Sequence, residues 1–438
     1  STPSFYIGGV NQNGNIGIGT TTPSEKLTLY NGSFLQLPGA PSSLTTLSIG
    51  SLLQDIDVVG NYAYVVDSTD GNLRVIDLSK PDYPELISTL SSVGSSPTSV
   101  RVFGNYAYVL DATDDTFKSI NIANPTSPTI ISSLAIGSGT HTRFDLSGKY
   151  AYLLDYGTDL LRIIDISNPN DLVSVSTISI TMSSVSKVFA LGKYIYVTTG
   201  TDNNFKIIDV SNPNTPIIVS SSFSLGGAPV GVFVSGRYAY ILDATSDDLK
   251  IIDISDPSTP VTNGTISLPT AVTDGSLFVS GRYVYAVTID ASSLDREDFA
   301  VIDVASSTSP TVVATTNINL DNAGLVEIVV SGRNAYVIQG GSSETDLLEV
   351  FDISGAEITS AKIYSLETSN FVTRGKAFIQ DNLSLGSSLN VGIGGIFSAG
   401  PLGVGIASTT ASIPVSATFA GNVGIGTTSP YANLSVSS

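Results

Sequence analysis

The chain has 438 residues with no cysteine, no tryptophan, one methionine and one histidine, and its net charge is −19. The missing cysteines exclude a disulfide framework and a zinc–thiolate site, a single histidine excludes a histidine metal cluster, and the acidic excess excludes a phosphate-seeking nucleic-acid binder. Hydrophobic residues make up 42% of the chain and charged ones only 13%, enough to bury a large core, yet no apolar run approaches the ~20 residues of a membrane-spanning helix.

Residues 1–41 differ in pattern from the long central region. They contain N-G-N-I-G-I-G-T-T-T-P-S-E-K-L-T-L, Asn13–Leu29. In a strand, successive side chains point to opposite faces, so Ile16 and Ile18 line one face while Gly17 and Gly19 leave the other bare. Glycine weakens an isolated strand, and its recurrence points to close approach by another backbone. The chain begins at Ser1 rather than at a methionine, which reads as a secreted product whose export signal has been removed.

From residue 42 to residue 367 one unit recurs seven times. Its clearest copy is Val230–Pro260: V-G-V-F-V-S-G-R-Y-A-Y-I-L-D-A-T-S-D-D-L-K-I-I-D-I-S-D-P-S-T-P. Three runs rich in β-branched and aromatic residues, each too short for a helix, are separated by Ser-Gly, Asp and Asp-Pro turns, and so read as strands of an antiparallel meander. The marker glycine stands at 60, 104, 148, 192, 236, 281 and 332, spaced by 44 residues and, for the last two gaps, by 45 and 51. The Tyr-x-Tyr pair that follows it accounts for 13 of the 19 tyrosines, so the aromatics belong to the repeat rather than to one special site. A period in the low forties with four short strands per unit predicts an all-β fold, a seven-bladed β-propeller. Blades pack on neighbours through both faces, which explains strands that are apolar throughout. Two segments compete for the outer strand of the seventh blade, Leu44–Ile49 and Ile358–Leu366. The expectation is that Leu44–Ile49 is recruited and that Ile358–Leu366 stays nearby.

Residues 368–438 return to the opening pattern. G-N-V-G-I-G-T-T-S-P-Y-A-N-L-S-V, Gly421–Val436, matches Asn13–Leu29 position for position: Ile16 with Val423, Ile18 with Ile425, Pro23 with Pro430, Leu27 with Leu434. Val423, Gly424, Ile425 and Gly426 therefore mirror Ile16, Gly17, Ile18 and Gly19 as assembly residues. Asn390–Gly394 and Leu402–Ile406 are weaker echoes.

The Y-A-Y-V-x-D and V-I-D-[IV]-S-[ND]-P motifs resemble the LVIVD-repeat propellers of bacterial and archaeal surface proteins. The resemblance implies a cell-surface scaffold rather than a defined reaction. The G-N-[IV]-G-I-G-T-T-[ST]-P motif resembles segments of phage tail fibres and large bacterial surface proteins, where it marks β-rich shafts.

Few constellations could carry chemistry. Asp67, Asp111, Asp155 and Asp243 end the second strand of their units, and acidic turns follow them. Asp67, Asp70, Asp111, Asp114, Asp243 and Asp247 are weak calcium candidates, since calcium wants several hard oxygens from a tight turn. Hairpin turns favour the same residues without any metal. The third-strand aspartates Asp77, Asp165, Asp209, Asp253, Asp303 and Asp352 precede Ser/Ala turns, where a carboxylate accepts backbone N–H bonds. His141 lies in the connection into the third unit, without the G-x-S-x-G elbow that would support a triad. The one irregular acidic insertion, Asp290–Asp298, offers the carboxylates Asp295, Glu297 and Asp298 to a glycosidase reading. The expectation is no catalytic residue, no cofactor and no transition metal, with calcium left open. The chain reads as an extracellular or surface filament subunit whose partner is itself, polymerising head-to-tail by strand addition through its ends. The alternative is a receptor- or glycan-binding module of a trimeric phage-type fibre.

Overall fold

A computed structural model describes residues 40–353 apart from breaks at 140, 183–186, 201–202, 270, 273, 290–296, 319–322 and 342–345, together with five short strands nearer the ends. Every regular element among the described residues is a strand. Seven four-stranded antiparallel sheets follow one another along the chain. The first blade runs Leu53–Val59, Tyr62–Asp67, Asn72–Asp77, Glu85–Leu90, and its strands pair in that order. Successive first strands pack against one another, from Leu53–Val59 through Ala323–Ser331 and back to Leu53–Val59, so they form the inner wall of a closed ring. The Tyr-x-Tyr strand is second from the centre in every blade except the seventh, where Asn334 replaces the first tyrosine.

The marker glycines show why the repeat is legible. All seven adopt positive φ, between 60° and 66°. Each is the first residue of a two-residue hairpin, as where Val59 pairs with Tyr62 across Gly60 and Asn61. A positive φ at the first central position and not at the second is the II′ turn, whose twist matches the flanking strands and which glycine enters without a Cβ penalty.

Second strands are buried along nearly their whole length; Ala63, Val65 and Val66 have no exposed surface. The apolar side chains gather in seven clusters, one for each blade–blade boundary. That between blades one and two joins Tyr64, Val66 and Val75 to Val100, Ala107 and Val109. Between blades six and seven, Phe299 meets Phe351 edge-on at 5.2 Å. Burying each such residue stabilises the ring by about 1.5–3 kcal/mol.

Ring closure follows the sequence expectation in its first half. Ser42–Gly50 pairs antiparallel with Asp346–Asp352 and completes the seventh blade from the amino-terminal side. Ile358–Leu366 lies outside the described residues, as does the expected domain boundary at 367/368. Near the ends, Ile7–Val10 pairs antiparallel with Ile16–Ile18, which pairs in parallel with Leu27–Leu29. Val423–Ile425 pairs in parallel with Leu434–Val436.

Removing residues 1–41 is expected to leave the cooperative thermal transition of the propeller in place. Removing residues 1–50 strips the seventh blade of its outer strand and exposes the edge of Asp346–Asp352. That truncation is expected to melt well below the shorter one, or to aggregate, in a differential scanning calorimetry comparison.

Candidate functional site

The inner strands line a channel along the ring axis, with a cavity of about 150 Å³. Their register stacks the channel-facing side chains in two rings. The residue three places before each marker glycine pairs with the second tyrosine of the adjacent strand in all seven blades: Asp57, Arg101, Asp145, Phe189, Phe233, Phe278 and Val329. The residue five places before it forms the other ring: Asp55, Ser99, Arg143, Lys187, Gly231, Ser276 and Glu327.

Several of the acidic groups tie neighbouring blades together. Inner strands of adjacent blades diverge and do not pair as a sheet, so their facing N–H groups need other acceptors. Asp55 accepts from Ser99 Oγ at 2.6 Å, Val100 N at 3.0 Å and Arg101 Nη1 at 2.8 Å. Asp57 accepts from Val102 N at 2.7 Å, and Asp145 from Ala190 N at the same distance. Glu327 closes the ring on the far side, taking Arg143 Nη2 at 2.9 Å, Lys187 Nζ at 2.7 Å and Ser276 Oγ at 2.7 Å. Arg143 also donates to the carbonyls of Gln54 and Thr98, crossing from blade three to blades one and two.

The two acidic environments differ in sign. Burial pushes the Asp57 carboxyl up to about 6, against the pull of Arg101. Burial likewise raises Asp145 against Arg101, and Asp274 against Lys187. At Glu327 burial acts upward too, but Lys187 and Arg143 outweigh it and hold the carboxyl below its ordinary range. Sequence reading missed this network. No inner strand carries more than two charges, and Pro229–Ser235 carries none; the charges become neighbours only when the ring closes, and their constant offset from the marker glycine was the available signal.

The acidic turns have a different geometry. Asp67, Asp111, Asp155 and Asp243 are fully buried. Asp111 accepts from the N–H groups of Thr113 at 3.0 Å, Asp114 at 2.6 Å and Ser96 at 3.0 Å. Asp67 accepts from Thr69, Asp70 and Ser51 N–H and from Arg74. Asp243 accepts from Thr245, Ser246 and Lys250. Each carboxylate presses on a glycine in the segment arriving from the preceding blade: Gly50, Gly94, Gly139 and Gly227, where an added Cβ would overlap it. Asp70 pairs with Arg74 at 2.5 Å, Asp114 accepts from Ser95 Oγ at 2.6 Å, and Asp247 accepts from Val272 N at 2.7 Å. These six carboxylates thus face N–H groups, a hydroxyl and cations of their own turns and of the adjoining inter-blade segments. Among the described residues no three His, Cys, Asp or Glu side chains converge as a metal site requires.

The third-strand carboxylates accept turn N–H groups: Asp77 from Ser79 at 2.7 Å and Asp165 from Ser167 at 2.8 Å. In five blades they also pair with the basic residue after the marker glycine: Lys149 with Asp165, Lys193 with Asp209, Arg237 with Asp253, Arg282 with Asp303 and Arg333 with Asp352. His141 is a correction: it opens the inner strand His141–Ser147, paired with Asp155, rather than lying in a loop. Glu297 and Asp298 likewise belong to the strand Glu297–Asp303 and not to an insertion, while 290–296 lie outside the described residues. Gly19 and Gly426 also lie outside them; Ile16–Ile18 and Val423–Ile425 are strands.

Comparison with known proteins is specific about the repeat. The LVIVD-repeat model matches residues 53–91, 95–135, 139–178, 183–222 and 226–267. Five of the seven blades thus match the LVIVD repeat. Among curated proteins none matches the sequence. Among solved structures, a functionally unknown protein from Desulfotomaculum acetoxidans is similar at 14% identity and a TM-score of 0.55, over 66% of this chain and 92% of that one. A candidate 6-phosphogluconolactonase from Bacteroides uniformis is similar at 14% identity and 0.52, over 63% and 87%. At such identity the likeness shows the propeller fold alone. No described helix is long and apolar enough to cross a membrane.

Two outcomes are expected of the carboxylates. Asp111→Ala leaves three backbone N–H groups without their acceptor and is expected to cost about 1–3 kcal/mol in urea denaturation, and Gly94→Ala is expected to destabilise by displacing the same carboxylate. Asp57 holds its proton more tightly folded than unfolded, so its contribution is fully present below the unfolded value near 3.8 and is lost as pH rises through about 6. Relative to Asp57→Asn, the native chain should therefore lose melting temperature between pH 4 and pH 7; parallel curves would contradict this.

Proposed function

We propose that the chain is a non-enzymatic, extracellular surface or filament subunit, a propeller displayed between two joining ends. The observation that carries the reading is the identity of those ends. Segments 407 residues apart in sequence form the same parallel strand pair in the same register: Ile16 with Leu27 and Ile18 with Leu29, Val423 with Leu434 and Ile425 with Val436. A pair of three-residue strands is too small to be stable alone, and a third strand is the smallest addition that helps. The amino-terminal unit has one, Ile7–Val10, seated on Ile16–Ile18. The carboxyl-terminal unit has two strands among the described residues.

Because Val423–Ile425 repeats Ile16–Ile18, the strand Ile7–Val10 of a second copy fits its edge in the register already used within the chain. Ile7 would face Ile425, and Gly8 would face Gly424. Main-chain bonds then supply affinity, and the glycines admit close approach. The contact joins unlike ends of successive copies and need not close, so it propagates. Two channel hydroxyls are engaged with carboxylates, Ser99 Oγ with Asp55 and Ser276 Oγ with Glu327.

The chain has no cysteine, so engineered pairs report cleanly. Oxidising the double variant Ile7→Cys/Ile425→Cys is expected to give a ladder of multimers on a non-reducing gel, with each single variant stopping at dimer. A compact monomer alone, or no cross-link, would contradict head-to-tail strand addition.

A further inference from the structure

The ring at the level of Asp57 is divided by chemistry. One arc is charged, Asp57, Arg101 and Asp145 from blades one to three; the other is aromatic, Phe189, Phe233 and Phe278 from blades four to six. The phenyl rings are packed side by side, with centroids 4.6 Å and 4.9 Å apart, and all three keep part of their surface open to the channel. A continuous phenyl wall on an accessible channel is not required by the fold, since the equivalent positions in the other blades are Asp57, Arg101, Asp145 and Val329.

The charges around it do not balance. Four carboxylates line the cavity, Asp55, Asp57, Asp145 and Glu327, against three cations, Arg101, Arg143 and Lys187. Arg143 and Lys187 are both committed to Glu327. Arg101 lies closest to Asp55, at 2.8 Å, and stands off Asp145 at 3.6 Å. Asp57 and Asp145 thus share a single guanidinium that is bound more tightly elsewhere. Both carboxylates are partly exposed to the channel and accept one backbone N–H each, from Val102 and Ala190, but neither has a cation of its own; desolvation keeps both protonated to higher pH than usual.

We propose that the propeller channel binds a small organic cation of the alkylammonium class, held between the Phe189–Phe233–Phe278 wall and the carboxylates of Asp57 and Asp145. The negative faces of phenyl rings attract an ammonium group, most strongly when it is desolvated. The carboxylates opposite supply the countercharge. The cavity, about 150 Å³, is the size that takes up a single benzene-sized molecule, which suits an ammonium bearing a few carbons. A hard inorganic cation would want oxygens on every side, and half of this ring offers none. The inference goes beyond the display role and does not depend on how the ends assemble.

The test is isothermal titration of the full chain with tetramethylammonium chloride at pH 7.5, with potassium chloride and glucose as the cationic and neutral controls. Saturable one-to-one binding to tetramethylammonium alone is expected. Phe233→Ala and Asp57→Asn should each weaken it at least tenfold while circular dichroism and the melting transition show a folded ring. Phe278→Ala and Asp145→Asn serve where either variant fails to fold. Absence of saturable heat, equal binding of potassium or glucose, or affinity unchanged in folded variants would overturn the proposal.

Discussion

A sheet buried on both faces has no existence without a neighbour on each side. That constraint governs this molecule. Each blade is apolar through its second and third strands, so each boundary must be covered by the next blade, and the last must be covered by the first. The chain meets the final requirement by lending Ser42–Gly50 to the blade built from Ala323–Asp352. Closure therefore joins residues near the beginning of the chain to residues near position 350, and the seven apolar clusters become one continuous ring of contacts.

Two polar devices secure what apolar packing leaves open. Near the axis the strands splay, and backbone N–H groups that would pair in a flat sheet face a gap. Asp55, Asp57 and Asp145 reach across it. Where the chain passes from one blade to the next, a buried aspartate receives the turn and lies against a glycine. Blades four, six and seven carry Thr199, Thr288 and Gln339 in place of that aspartate, so the device reinforces the ring at four boundaries rather than defining it.

The legible and illegible parts of the structure divide along the range of the interactions. Gly60 and its six counterparts are local: a II′ turn demands positive φ, and the pattern declares the hairpin. The Tyr-x-Tyr strand and the aspartate turns are local as well. The inner-ring network was hidden because Arg143, Lys187 and Glu327 come from three blades, and nothing near any one of them in the chain names its partners. His141 was misplaced for a related reason, since a Gly-Ser-Gly run before it reads as loop while pairing with Asp155 draws it into the strand. The phenyl wall was hidden in the same way: Phe189, Phe233 and Phe278 look like core residues of separate strands until the register sets them on one level.

The central claim is that one propeller ring is carried between ends that join to other copies. Electron micrographs of native, uncleaved material test it most directly. The account predicts filaments with one ring-shaped density per repeat, each linked to the next by a thin connection. Isolated rings at all concentrations, or closed particles with threefold symmetry, would contradict it.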